Sequence, residues 1–284
     1  MSKQPRTLGA GPSVFPLALG CMGMSGMYGK SDDNESIATI HEALERGITL
    51  FDTGDFYGMG HNELLVGRAL AGKRDRALLS VKFGALRAPD NSWVGIDTRP
   101  AAVKNFLSYT LKRLGTDHVD IYRPARLDPN VPIEDTIGAI AELVKAGYVR
   151  AIGLSEVGVE TIRRAHAVHP IADLQIEYAL ISRGPEAQIF PLLAELGIGV
   201  TAYGVLSRGL LSGSQPQAKG DFRAWLPRFS GDNRARNQVL VDKLQALAAD
   251  RGVSAAQLEA AVPAGAVAGT RYDANQMLHL DSEK

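Results

Sequence analysis

The sequence predicts an α/β fold of the (β/α)8 TIM-barrel type, and three observations support this prediction. Short β-branched or apolar runs alternate with longer segments of helical period, as in β-α units around a parallel sheet. The chain has 284 residues, which suits a barrel because this fold takes about 250 residues. Glycines follow the helical segments at residues 47, 115, 147 and 197, where a left-handed helix cap is favoured.

Seven strands are predicted, and six helical segments separate them. The predicted strands are residues 15–19, 49–51, 77–82, 118–122, 149–154, 174–176 and 199–203. The predicted helices are residues 33–46, 63–69, 100–114, 133–146, 159–166 and 186–196, with a further helix near 237–249. A doubly wound Rossmann sheet is the alternative. The glycine spacing in residues 20–26 differs from G-x-G-x-x-G, so the barrel is favoured.

The eighth β-α unit is not evident in the sequence. Residues 251–284 contain no strong strand, and residues 261–269 are rich in alanine, glycine and proline. A seven-stranded barrel would leave two parallel edges exposed, so either the chain is shortened or an internal segment is omitted near Leu258 and Glu259. We expect a single domain over residues 1–284, with a C-terminal tail from about residue 259.

The composition excludes several classes of protein. Thirty-one Lys and Arg residues balance 31 Asp and Glu residues, so no global field favours nucleic acid or an anionic membrane. Cys21 is the only cysteine, which rules out an intrachain disulfide and a thiolate-clustered zinc site. No apolar run suits a signal peptide or a membrane span. We expect a cytoplasmic protein without a metal, and its oligomeric state is undetermined.

Polar side chains stand at the ends of the predicted strands, where a TIM barrel carries its active site. In chain order they are Asp52, Tyr57, Lys82, Arg123, Arg126, Ser155, Glu156, Gln175 and Tyr203. Because the strands are parallel, these side chains are expected to converge on one mouth of the barrel.

The same stretches resemble the NADP-dependent aldo-keto reductases. The matching motifs are DTGDFYGMGHNE at 52–63, SVKFG at 80–84, GLSE at 153–156, QIEY at 175–178 and AYGVLSRG at 202–209. The motifs occur in order at the ends of successive strands, and the resemblance runs from about Leu8 to Leu258. It implies a (β/α)8 barrel that uses NADP(H) to reduce a small aldehyde or ketone to an alcohol.

The family's catalytic aspartate, tyrosine and lysine map onto Asp52, Tyr57 and Lys82. Hydride delivery to a carbonyl leaves an alkoxide that needs a proton, and a tyrosine with a pKa of about 10 is a reluctant donor near neutrality. A lysine beside the phenol lowers the tyrosine pKa, and an aspartate holds the ammonium in place. The alternative is that Asp52 and Lys82 form a structural ion pair and Tyr57 is a rim aromatic.

The family's catalytic histidine is absent from this sequence. The family stretch H-R-x-D reads Ala125-Arg126-Leu127-Asp128 here, and alanine has no donor with which to orient a carbonyl. Three explanations stay open: altered substrate use, a weak or inactive reductase that still binds cofactor, and an engineered substitution. The alternative function is therefore an NADP(H)-binding regulatory or interaction module with little turnover.

The resemblance also implies the cofactor-binding residues. Ser155, Glu156 and Gln175 are expected to face the nicotinamide carboxamide, with Tyr203 stacked on the ring and Asp52 nearby. The remaining residues implied at the cofactor are Gly20, Cys21, Met22, Gly204, Leu206, Ser207 and Arg208, of which the last four follow the pyrophosphate. The choice of NADPH over NADH rests on the resemblance alone, since Gly269-Thr270-Arg271 reads as part of the tail.

The substrate loops leave two pairs of interpretations open. Trp93, Trp225 and Phe229 either line an apolar substrate pocket or pack the loops onto the barrel. Arg123 and Arg126 either favour an anionic substrate or form ion pairs elsewhere.

Overall fold

The computed structural model describes residues 4–216, 220–255 and Asp281. Its strands are β1 (Arg6–Thr7), β2 (Ser13–Val14), β3 (Leu19–Gly20), β4 (Leu50–Gly54), β5 (Leu78–Phe83), β6 (Ala85–Arg87), β7 (Trp93–Ile96), β8 (Val119–Pro124), β9 (Val149–Ser155), β10 (Ile171–Glu177) and β11 (Gly199–Tyr203). Its α-helices are α1 (Asp33–Glu45), α2 (His61–Leu70), α3 (Pro100–Leu114), α4 (Ile133–Lys145), α5 (Val159–Val168), α6 (Ile189–Leu196) and α7 (Gly231–Asp250).

Seven of these strands form one parallel sheet in the order β11-β10-β9-β8-β5-β4-β3. Neighbouring strands of the sheet follow one another along the chain, with a helix in each connection. This is the arrangement of a β/α barrel rather than of a doubly wound sheet. The predicted fold class and the seven predicted strands are confirmed.

Most element bounds differ from the predicted ones by a few residues, and two of the differences have a local cause. The first barrel strand covers only Leu19–Gly20, because Pro16 has no N–H to donate to a ladder. Helix α6 begins at Ile189 rather than at residue 186, because Gly184–Glu186 forms a separate 3-10 turn. The four glycines predicted to end helices all adopt positive φ, between 64° and 85°.

The edges of the sheet are β3 and β11 within the described ranges 4–216 and 220–255. The described residues contain no eighth strand of the parallel sheet. The expected break near Leu258, the stretch Gly269-Thr270-Arg271 and the expected tail other than Asp281 lie outside the described residues. Asp281 itself accepts hydrogen bonds from Gly158 N (2.9 Å) and Thr161 Oγ1 (2.7 Å), which caps the start of α5.

The hairpin β1–β2 covers the N-terminal end of the sheet. Leu8 and Val14 pack there against apolar residues from the starts of four strands, namely Leu50, Ile121, Ala151 and Ala172. Gly9 allows this close approach, because its φ is +50° and a Cβ would lie 2.5 Å from a backbone oxygen. The main core lies between the sheet and α1 to α6. With one end of the sheet covered, the C-terminal ends of the strands carry the open cavity.

The helices of the described chain include none that is long and apolar enough to cross a membrane.

Candidate active site

A cavity of about 320 Å³ opens at the C-terminal ends of the barrel strands. This volume lies at the lower end of the range of small-molecule sites. The residues around it are Gly20, Met22, Gly23, Met27, Tyr28, Asp52, Phe56, Tyr57, Lys82, Ala85, Arg87, Trp93, Ala125, Arg126, Ser155, Gln175, Tyr203, Gly204, Arg208 and Phe222. Six strands of the parallel sheet place one of their last three residues at this opening, and the seventh, β8, is followed directly by Ala125. The six residues are Gly20, Asp52, Lys82, Ser155, Gln175 and Tyr203.

Asp52 and Lys82 form an ion pair in the wall of this cavity. The parallel register of β4 and β5 pairs Asp52 with Ser80 and Gly54 with Lys82, which brings the two side chains together. Asp52 also accepts hydrogen bonds from Ser80 Oγ and from Gln175 Nε2, both at 2.8 Å. The aspartate therefore joins β4, β5 and β10 at the cavity.

The ionisation of this pair reflects burial and charge. Burial raises the pKa of Asp52, but the charges of Lys82 and Arg123 and two hydrogen bonds outweigh it, so the pKa lies below its ordinary value. Burial lowers the pKa of Lys82, Asp52 opposes this effect, and Arg123 and Arg126 add to it, so the pKa lies below its ordinary value. The site holds an ammonium whose proton is less firmly bound than in water.

Tyr57 lies next to this ion pair. It is only 6% exposed, and the Nζ of Lys82 lies 5.3 Å from the centroid of its ring. The Phe56 ring packs edge-on against the Tyr57 ring with a centroid distance of 4.8 Å. Gly58 and Met59 directly after it both have left-handed backbone, at φ 56° and 54°, so the chain turns sharply into α2. The structure thus brings the three residues expected to be catalytic into one site.

Ala125 lines the cavity where the family histidine is expected. It is 3% exposed, and its backbone N–H donates to Phe83 O at 2.8 Å. No histidine from the described part of the chain lines the cavity. The cavity wall therefore offers no imidazole donor at this position.

Three of the residues expected at the nicotinamide, Ser155, Gln175 and Tyr203, line the cavity, whereas Glu156 does not. Glu156 is fully buried with φ 54°. Its carboxylate accepts hydrogen bonds from Glu177 N at 2.8 Å and from the Tyr203 hydroxyl at 2.7 Å. The left-handed backbone turns this side chain inward, so Glu156 contacts Tyr203 rather than facing the cavity.

Gly20 and Met22 line the cavity, but Cys21 between them does not. Cys21 is completely buried, and its Sγ lies 3.7 Å from Leu19 O. Burial, with a smaller effect of the Asp52 charge, raises the pKa of its thiol to about 12. Cys21 is therefore a packed thiol of the core and does not present its side chain to a ligand.

The turn after β11 places one charged side chain at the cavity. Gly204 and Arg208 line it, whereas Leu206 and Ser207 do not. The Arg208 guanidinium lies 5.8 Å from the Tyr203 ring centroid and 5.2 Å from that of Phe222. Ser207 is buried with φ 51°, and its Oγ has no hydrogen-bond partner among the described residues.

The loop residues fall into different environments. Trp93 lines the cavity, Phe229 is buried in a separate core cluster with α7, and Trp225 is 82% exposed. Arg123 is completely buried and pairs with Asp173 at 3.1 Å, so only Arg126 of the two arginines lines the cavity.

The sequence analysis missed several residues of the cavity wall, of which Arg87 carries a charge. Arg87 and Trp93 lie on the hairpin β6–β7, which directly follows β5. Asn91, which has φ 65° in the connection, is the turn residue that could have indicated this hairpin. In addition, the residues described by the structure include no cluster of His, Cys, Asp and Glu suited to a metal ion.

The fold and the cavity define a β/α-barrel enzyme with a tyrosine, a lysine and an aspartate in its site. The family model described as Aldo/keto reductase family matches residues 16–261. The probable aldo-keto reductase 1 of Glycine max is 41% identical over 263 residues, which cover 90% of this chain and 75% of that protein. The chain belongs to the aldo/keto reductase family and is an oxidoreductase of that family.

Two solved structures extend the comparison. A glycerol dehydrogenase from Gluconobacter oxydans is similar with a TM-score of 0.79 at 32% identity, covering 90% of this chain and 81% of its own. An aldo/keto reductase from Klebsiella pneumoniae in complex with NADP and acetate is similar with a TM-score of 0.66 at 26% identity, covering 90% and 79%. The family uses NADP(H).

Proposed function

We propose that this chain uses NADP(H) to reduce a small aldehyde or ketone to an alcohol, with Tyr57 as the proton donor. The observation that carries the proposal is the grouping of Tyr57, Lys82 and Asp52 in the wall of one cavity. A purely structural ion pair would not need to border a cavity. In this site the pair lies beside a buried phenol at the only end of the described sheet that the N-terminal hairpin leaves open.

The residues of the cavity fit the cofactor. Gly20 leaves open space, because a Cβ built there would meet no protein atom within 4 Å, so its lack of a side chain leaves room for a bound group. Ser155 and Gln175 offer polar groups to a carboxamide, and the Tyr203 ring offers a stacking surface. The guanidinium of Arg208 is suited to a phosphate group.

When bound, the reduced cofactor supplies the hydride that adds to the carbonyl carbon. Tyr57 donates its hydroxyl proton to the oxygen that gains negative charge. The Lys82 ammonium favours the phenolate that remains, and Asp52 holds the ammonium beside the ring. Gln175 and Ser80 hold Asp52 in turn.

Ala125 supports a second candidate function, an NADP(H)-binding regulatory module with little turnover. Its methyl group provides no hydrogen bond to a carbonyl. A reductase and a module of this kind share the cofactor residues, and they differ in whether Tyr57 matters to turnover.

The test compares cofactor binding and turnover in matched variants. NADPH binding is followed by quenching of protein fluorescence, and NADPH oxidation is followed with a panel of aldehydes and ketones. For Tyr57→Phe we expect about a hundred-fold or greater loss of kcat with nearly unchanged NADPH affinity. Tyr109→Phe is the control, since Tyr109 is 57% exposed on α3. Binding without turnover in the unmodified protein would favour the regulatory module.

We also propose that residues 1–284 form one domain in the cytoplasm. The support for one domain is that seven strands of the described residues form one parallel sheet.

A further inference from the structure

The charges around the cavity are unbalanced. Of the described residues that line it, Lys82, Arg87, Arg126 and Arg208 are cationic, and Asp52 is the only carboxylate. Asp52 is bound to Lys82. A wall with this excess of positive charge attracts an anion, and the low polarity of a buried site strengthens that attraction.

Arg208 contacts other residues than the two further arginines of the cavity wall, Arg87 and Arg126. Its guanidinium lies between the rings of Tyr203 and Phe222, and its Nη2 lies 3.8 Å from Glu177 Oε2. It stands on the β11 side of the cavity, where the proposed cofactor residues are. The cationic side chains on the other side of the cavity are Arg87 and Arg126.

Arg87 is a half-buried cation without an acidic partner among the described residues. Its guanidinium carbon lies 5.5 Å from the Trp93 ring centroid, so the tryptophan holds the guanidinium in place. Its Nη1 donates to Asn91 O at 3.3 Å, while its Nε is buried and has no hydrogen-bond partner in the described structure. Buried donors are normally satisfied, so this guanidinium has unused capacity to donate.

Arg126 borders the same part of the cavity. Strands β5 and β8 pair in parallel, and the Ala125 N–H bonds to Phe83 O at 2.8 Å. This contact places Ala125 and Arg126 beside the start of the hairpin that carries Arg87. The Arg126 Nη1 donates to its neighbour's carbonyl, Ala125 O, at 2.6 Å, which keeps the guanidinium close to the alanine and within electrostatic reach of Lys82.

We propose that Arg87 and Arg126 recognise a carboxylate on the carbonyl substrate, so the enzyme acts on aldehydes or ketones that carry a carboxylic acid group. A planar guanidinium matches a planar carboxylate with paired hydrogen bonds. The aromatic residues Phe56, Trp93 and Phe222 line the cavity and provide an apolar surface for the part of the substrate between carboxylate and carbonyl. Anchoring at this distant group orients the carbonyl at Tyr57 without a histidine at position 125.

This inference rests on the proposed reductase function, and matched substrates test it. The probes are para-carboxybenzaldehyde and its methyl ester, which differ in charge but present the same aldehyde. We expect the unmodified enzyme to have a kcat/KM at least about ten-fold higher for the acid, as a charged hydrogen bond supports. Equal kcat/KM values for acid and ester would overturn the proposal.

Variants then assign the preference to the two arginines. Arg87→Met and Arg126→Met should each raise KM for the acid about ten-fold and change the kinetics of the ester less than about two-fold. Arg87→Lys keeps the charge without the paired donors and should lose part of the preference. Arg46→Met is the control, because Arg46 lies at the exposed end of α1 and pairs with Glu42. An equal loss for acid and ester in both Arg87 variants would indicate a role in folding and overturn the proposal.

A binding measurement separates this inference from the proposed function. The probe is para-carboxybenzyl alcohol, with its methyl ester as the reference, titrated into the protein with and without NADP+. If neither aldehyde turns over, the reductase function fails. Tighter binding of the acid that Arg87→Met abolishes would still support the carboxylate site, whereas equal binding of acid and ester would overturn it.

Discussion

Asp55 offers a test of the electrostatics beneath the site. It follows β4 two residues before Tyr57, and its backbone N–H donates to Lys82 O at 3.0 Å. Its carboxyl is buried, and Oδ1 has no hydrogen-bond partner in the part of the chain that the structure describes. Burial, with the nearby Glu63 carboxylate, raises the pKa of Asp55 to about 8, although the amides of Gly84 and Phe56 act in the opposite direction.

The raised pKa makes the protein less stable as the pH rises. In the unfolded chain the pKa of Asp55 is near the ordinary value of 3.8, so between the two pKa values the native state binds one more proton than the unfolded state. The free energy of unfolding then falls by about 1.4 kcal/mol per pH unit. Between about pH 5 and about pH 7 the loss is about 3 kcal/mol, and it ends once the pH passes the native pKa.

Asp55→Asn removes this titration, and its side chain keeps a similar shape. We expect the variant to lose about 3 kcal/mol less stability than the unmodified protein between about pH 5 and about pH 7. Urea unfolding at the two pH values measures the difference. Asp75→Asn is the control, because Asp75 is exposed. If Asp55→Asn and the unmodified protein lost the same stability over this range, the protonated, buried state of Asp55 would be refuted.

Two further variants test how the site is held together. Lys82→Met leaves the buried Asp52 charge without its partner and should lower the free energy of unfolding by about 3 to 5 kcal/mol. The same substitution at the exposed Lys104 should lower it by less than about 1 kcal/mol. Equal losses for the two variants in urea unfolding would contradict the value expected for Lys82→Met. Glu156→Ala removes the acceptor of the Tyr203 hydroxyl and should weaken NADPH binding about ten-fold in fluorescence titrations. Glu156→Gln keeps an acceptor oxygen and should bind NADPH as the unmodified protein does. If Glu156→Gln lost as much NADPH affinity as Glu156→Ala, Glu156 would have a structural role only.

The strands could be predicted from the sequence because their signals are local, whereas the central trio was assigned through the resemblance of its motifs to a known family. A strand of apolar residues between two helical segments fixes where Asp52 and Lys82 stand. The parallel register of β4 and β5 then brings the two side chains together. The start of the first barrel strand was predicted less accurately. The apolar run suggested a strand from residue 15, but Pro16 has no N–H for the sheet and the strand covers only Leu19–Gly20.

Other parts of the site depend on backbone conformations that the sequence does not indicate. Glu156 and Ser207 have positive φ, which is uncommon for residues other than glycine. These conformations turn Glu156 toward Tyr203 and remove Ser207 from the cavity wall. Arg87 was missed for a different reason: its hairpin lies in a segment without the alternating pattern of a buried strand, and only its contact with Trp93 places it at the cavity.

The transfer of hydride to a carbonyl is the central claim, and isotope labelling tests it most directly. The enzyme is incubated with an aldehyde and NADPH that carries deuterium at the hydride-donating carbon of the nicotinamide, and the alcohol is analysed by mass spectrometry. The account predicts an alcohol with one deuterium on its carbinol carbon, formed by the unmodified enzyme and nearly lost in Tyr57→Phe. An alcohol without deuterium, or equal amounts of labelled alcohol from the two proteins, would contradict it.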